Sequence, residues 1–155
     1  MPHQGELNQI LMRALRTGAD FSEIYLEDRF DVTARCVEGR IKDVTSLHIH
    51  GAGIYILKGN RSVYVHTNDT SLNGLLDLAD KAAELLPFSA VNSLKKNIPF
   101  IEQKTENPVP AEIHPRGIDT IKKLRVIREM DKAARGAGKV RNLKVVYFDS
   151  CQNIK

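Results

Sequence analysis

Residues Phe21–Thr67 read FSEIYLEDRFDVTARCVEGRIKDVTSLHIHGAGIYILKGNRSVYVHT, and this stretch decides the fold. Two turn signals, Glu38-Gly39 and Gly59-Asn60, lie between runs of β character. Glycine takes a positive φ without steric cost, which a tight hairpin requires. In the first run Ile24, Leu26, Phe30, Val32, Ala34 and Cys36 fall on even positions. Glu23, Glu27, Arg29, Asp31, Thr33 and Arg35 fall on odd ones. A period of two gives one face to a core and the other to water. The stretch predicts three or four antiparallel strands in sequence, a meander whose apolar face needs a cover.

The flanking segments supply that cover. Leu7, Ile10, Leu11, Ala14 and Leu15 follow helical spacing and predict an amphipathic helix over 5–17, closed by Thr17-Gly18. Downstream, Thr67-Asn68-Asp69-Thr70-Ser71 is crowded with N-cap formers. Leu72, Leu75, Leu76, Ala79, Ala83 and Leu86 then make one stripe, predicting a helix over 72–86 that Pro87 stops. Three half-apolar elements bury their stripes only against each other. The predicted class is α+β: an antiparallel β-meander covered by helices in a two-layer sandwich. Both helices pack together on one face, and Leu11, Leu26, Phe30 and Leu76 share the core.

Residues 92–117 contain Pro99, Pro108, Pro110 and Pro115 among charged side chains, and predict an extended connection over the surface. A second helical pattern covers 118–135, with Ile121, Leu124, Ile127 and Ala134 as a narrow stripe. Lys122, Lys123, Arg125, Arg128, Lys132 and Arg135 surround it and predict a basic surface. The narrow stripe predicts a looser attachment than that of the first two helices. Val140–Phe148 reads as a strand, and the consecutive apolar run Val145–Phe148 predicts cover on both faces. The division expected is a core over 1–91, a connection over 92–117, and a basic helix and strand over 118–155. The last belongs to the same N-terminal domain, with a catalytic domain expected downstream.

With 155 residues, 42% hydrophobic and 27% charged, the composition is that of one globular domain. No apolar run is long enough to span a bilayer and the start has no signal-peptide pattern, so no membrane partner and a cytoplasmic location are expected. Cys36 and Cys151 lie far apart with no metal or redox spacing, and read as buried free thiols. The net charge of +4 is uneven. Residues 1–91 carry 9 basic and 12 acidic side chains; residues 116–155 carry 11 and 4.

Several segments together resemble the N-terminal part of the TldD/PmbA family, often labelled modulator of DNA gyrase. They are Gly18-Ala19-Asp20-Phe21-Ser22-Glu23-Ile24-Tyr25-Leu26-Glu27, Gly39-Arg40-Ile41, Gly51–Thr67 running into HTND, the helix with Ala79 and Ala82-Ala83, and the basic helix followed by VRNLKVVYFDSCQNI. Their order and spacing carry the resemblance. It implies a zinc metallopeptidase acting on unfolded or extended peptides as a homo- or heterodimer of family subunits. The family's zinc motif is H-E-x-x-x-H on a helix, with a later cysteine. Neither H-E-x-x-x-H nor H-E-x-x-H occurs in this sequence. The resemblance therefore implies no catalytic residue and no cofactor in this chain, with zinc belonging to the full-length family protein. The family's usual Arg in one strand and Gly-Phe pair in the next are replaced here by Ile54–Leu57 (IYIL) and Val63–His66 (VYVH).

Three local features are candidate sites. His48 and His50 project from the same face of a strand, and His66 could join them through the meander; with a third ligand such a set binds zinc. The simpler reading, solvent-face histidines, is preferred because no carboxylate or cysteine has matching spacing. The basic helix could neutralise phosphates, yet no aromatic platform or recognition motif accompanies it, so nucleic acid is the less favoured partner. Gly51-Ala52-Gly53 lacks the helix and Lys-Ser/Thr of a phosphate loop and reads as a sheet bend. Two functions remain: a non-catalytic N-terminal domain that gives dimer contacts and encloses the peptide channel, and a free-standing basic module for nucleic acid or an acidic protein.

Overall fold

The computed structural model describes residues 2–86 and 112–155. The elements run α1 (Gln4–Ala14), β1 (Phe21–Val37), β2 (Arg40–Lys58), β3 (Arg61–Thr67), α2 (Leu72–Leu85), α3 (Thr120–Gly136) and β4 (Lys144–Ile154). A 3-10 turn at Pro115–Gly117 precedes α3. The strands form one antiparallel sheet in the order β3-β2-β1-β4. The fold is α+β, a meander with helices packed on it. Residues 92–111 of the expected extended connection lie outside the described residues.

The local causes are those of the sequence. Glu38 and Gly39 take φ of 52° and 73°, the pair of positive values a two-residue hairpin needs. α1 opens on a capping box: His3 accepts from the Glu6 amide at 3.3 Å, and the Glu6 carboxylate accepts from the His3 amide at 2.9 Å. Ser71 caps α2 through the Gly74 amide, and Asp119 caps α3 through the Ile121 amide at 2.7 Å. β2 pairs with β3 from Ala52↔Thr67 to Lys58↔Arg61. Here the glycines serve close approach. A Cβ on Gly51 would stand 2.7 Å from the Thr67 carbonyl oxygen, and one on Gly53 would enter the ring of Tyr64.

The chain divides into two compact units, each with its own core. The first gathers residues 2–27, 50–86 and 154–155; the second gathers 28–49 and 112–153. In the first, Leu7, Ile10 and Ala14 of α1 meet Leu75, Leu78, Ala79 and Ala82 of α2 over Leu26, Ile54 and Ile56 of the sheet. Two members of the expected core are displaced. Leu11 is only half-buried and Ile10 is the closed position. Phe30 is half-buried and belongs to the second unit, where it faces polar groups. Leu76 packs at the margin of the core, and Leu75 fills its centre.

In the second unit Ile127 of α3 packs with Ala34, Cys36 and Val145, flanked by Leu124 and Tyr147. The narrow stripe thus makes a core of its own rather than a loose attachment. β4 also departs from expectation. It starts at Lys144 and runs to Ile154, where 140–148 was predicted. Its apolar run is covered on one side only: Val145 is buried, while Val146 and Phe148 are exposed. β4 is a terminal strand of the sheet, with one strand neighbour.

Candidate functional site

The second unit holds a group of titratable side chains that meet one another. Asp28 of β1 receives His48 Nε2 at 2.6 Å and Arg116 at 3.1 Å. Arg116 also lies 5.7 Å above the Phe30 ring, and His48 meets the same ring edge-on. The hydrogen bond from His48, with help from Arg116, holds the Asp28 carboxyl below its ordinary value. Beside this group, Asp31 accepts from Arg29 and from Ser150, which lower its pKa in that order. His114 precedes the turn that delivers Arg116, and its Nδ1 lies 3.5 Å from Cys151 Sγ on β4. Turn, β1, β2 and β4 thus bring two imidazoles, two carboxylates, two guanidiniums and a thiol into one unit.

A second polar set is buried beneath α3. Lys123 Nζ reaches Asp149 Oδ2 at 2.7 Å, and the Tyr147 hydroxyl donates to the same oxygen at 2.6 Å. Burial first, then Asp149, pushes the Tyr147 phenol up to about 12. It therefore stays a neutral donor. Asp149 Oδ1 is buried without a hydrogen-bond partner among the described residues, which costs free energy unless water reaches it. Arg135 binds Asp131 and reaches Glu38, and Asp131 also accepts from the Cys36 thiol at 3.9 Å.

The expected basic surface is reduced by these pairings. Lys123 is 3% exposed and belongs to the interior, contrary to expectation. Arg135 is committed to Asp131 and Glu38. Lys122, Arg125, Arg128 and Lys132 are exposed, with Ile121, Val126 and Met130 exposed between them. Of the three histidines, His48 has Asp28, His50 meets Thr70 at 2.9 Å, and His66 stacks against Tyr64. The helical zinc motif of the family is absent from the sequence. Cys36 is buried as expected. Cys151 is only half-buried, a correction that follows from its place on a terminal strand. The His114–Cys151 pair was not foreseen: its members stand 37 positions apart with no recurrent spacing. The first unit has a different feature, an open groove of about 510 Å³ between β3 and α2, lined by Tyr64, His66, Lys81 and Leu85 among others.

The meander with α2 is also the segment that a family profile matches: residues 22–86 fit PmbA/TldA metallopeptidase domain 1. The match agrees with the resemblance of this segment to a first domain of the TldD/PmbA family. Solved structures share its fold across nearly its full length. A protein described as a modulator of DNA gyrase from Bacteroides thetaiotaomicron superposes with a TM-score of 0.65 at 10% identity, covering 97% of this chain and 36% of that one. Another so described, from Thermotoga maritima, gives 0.64 at 14% identity, covering 98% and 34%. TldE from Thermococcus kodakarensis gives 0.61 at 15% identity, covering 96% and 34%. The chain therefore spans about a third of the length of these structures. No curated protein sequence matches it.

Proposed function

We propose that this chain is the non-catalytic first domain of a TldD/PmbA-type zinc metallopeptidase, and that it contributes dimer contacts and part of the enclosure of the peptide channel. One observation carries the reading: residues 22–86 match domain 1 of the family while the sequence holds no H-E-x-x-x-H. The zinc, the substrate peptide and the hydrolytic chemistry then belong to the remainder of the assembly. Exposed Val146 and Phe148 on β4 support an interface role, because apolar side chains together on a terminal strand favour being covered. The test is sedimentation of the chain with a full-length TldD-type subunit. Co-sedimentation that F148S weakens is expected. Independent sedimentation at every concentration tried would reject the proposal.

The second reading is a basic binding module. What favours it is that Lys122, Arg125, Arg128 and Lys132 line the exposed side of α3. Against it stand Ile121, Val126 and Met130, which interrupt that side and have no counterpart in phosphate.

A further inference from the structure

We propose that Cys151 is a site of thiol–disulfide exchange with low-molecular-weight disulfides, with His114 as the proton acceptor. Cys151 Sγ lies 3.5 Å from His114 Nδ1 and 3.8 Å from Nε2, so the ring can accept the thiol proton in either tautomer. A nucleophile and a base within hydrogen-bond reach are the two parts such a reaction needs. His114 is exposed, Cys151 is half-buried, and β4 has a strand neighbour on one side only, which leaves the sulfur an approach. Cys36 is the internal contrast. It is 0% exposed, and its thiol donates to the Asp131 carboxylate, so no disulfide in solution can reach the sulfur.

The exchange balances without a further reagent. His114 takes the proton from Cys151. The thiolate attacks one sulfur of the disulfide, a new S–S bond forms, and the old one breaks. The departing thiolate takes the proton from the imidazolium. Cys151 is oxidised to a mixed disulfide and the small disulfide is reduced to one thiol. The charged groups on these elements include Asp28, Arg29 and Asp31 of β1, Lys123 of α3, Arg116 of the turn and Asp149 of β4. Each of these is held in an ion pair, whereas the His114 ring nitrogens lie 3.5 and 3.8 Å from the sulfur.

The probe is oxidised glutathione, followed by mass spectrometry of the folded chain. One adduct is expected, on the peptide carrying Cys151; C151S should take none and C36S should behave as the parent. H114N should react about tenfold more slowly near pH 7 and match the parent above about pH 9.5, where an ordinary thiol ionises unaided. Iodoacetamide labelling of the parent needs no variant and should modify Cys151 well before Cys36. The proposal is overturned by first modification at Cys36, by absence of any adduct, by equal rates of parent and H114N at pH 7, or by a deficit in H114N that persists at high pH.

Discussion

Lys123 and Asp149 lie 2.7 Å apart with side chains 2% and 10% exposed. Removing one member of such a pair leaves a buried charge without its partner, at a cost of about 3–5 kcal/mol. K123A should therefore lower the urea stability by about that much, and K123M combined with D149L should recover most of it. A loss under about 1 kcal/mol in K123A would show that the pair is solvated. The pair was illegible in the sequence for a physical reason. Positions 123, 127 and 131 form the inward line of α3, and two of the three are charged. A hydropathy reading turns charges outward, and the partner that permits burial stands 26 positions away on another element. Cys36 was legible because strand alternation alone assigns its side. His114 and Cys151 were not, since neither alternation nor helical spacing links a turn to a later strand.

At the scale of elements, α1 and α2 are joined by their cores and by a clamp of charges. Arg13 and Arg16 both bind Asp80, at 2.6 and 3.0 Å, and Arg16 reaches Glu84. The hydrogen bond from Arg13 leads the causes that hold the Asp80 carboxyl below its ordinary value. A carboxyl depressed in the folded state stabilises it above the unfolded value and loses that effect as the pH falls through the depressed one. D80N should accordingly lower the thermal midpoint at pH 7, and the gap to the parent should close as the pH falls well below 4, with salt narrowing it at neutral pH. A gap that stays constant with pH would mean that charge is not its cause. Packing between the helices is a matter of one position. The helical stripe was visible, but Leu75 and Leu76 both fit it, and only Leu75 is closed, at 0% exposure. L75A should cost about 2–5 kcal/mol in urea unfolding, and L76A clearly less, because its site can relax toward solvent. The reverse order would place the stripe wrongly.

For the whole molecule the question is which chemistry the chain can perform by itself. Its meander, turns and helical stripes announced the α+β fold, because alternation and helical periodicity are local signals, whereas the division into two cores depends on contacts between distant positions. The four exposed cations of α3 suffice for weak electrostatic attraction to DNA. Binding in a mobility-shift assay should be sequence-independent and lost at physiological salt; tight selective binding that survives it would favour the basic-module reading. Peptide hydrolysis is the sharper test. A hydrolytic zinc needs a fixed set of ligands with one position open for water. The family's helical pair of histidines is missing from this sequence. Incubated with an unfolded peptide and added zinc, the chain alone should leave the peptide intact. Restoring a full-length TldD-type subunit should bring cleavage that a chelator stops. Chelator-sensitive cleavage by this chain alone, retained after purification and lost in H48A or H50A, would place a catalytic metal on this chain and refute the proposed non-catalytic role.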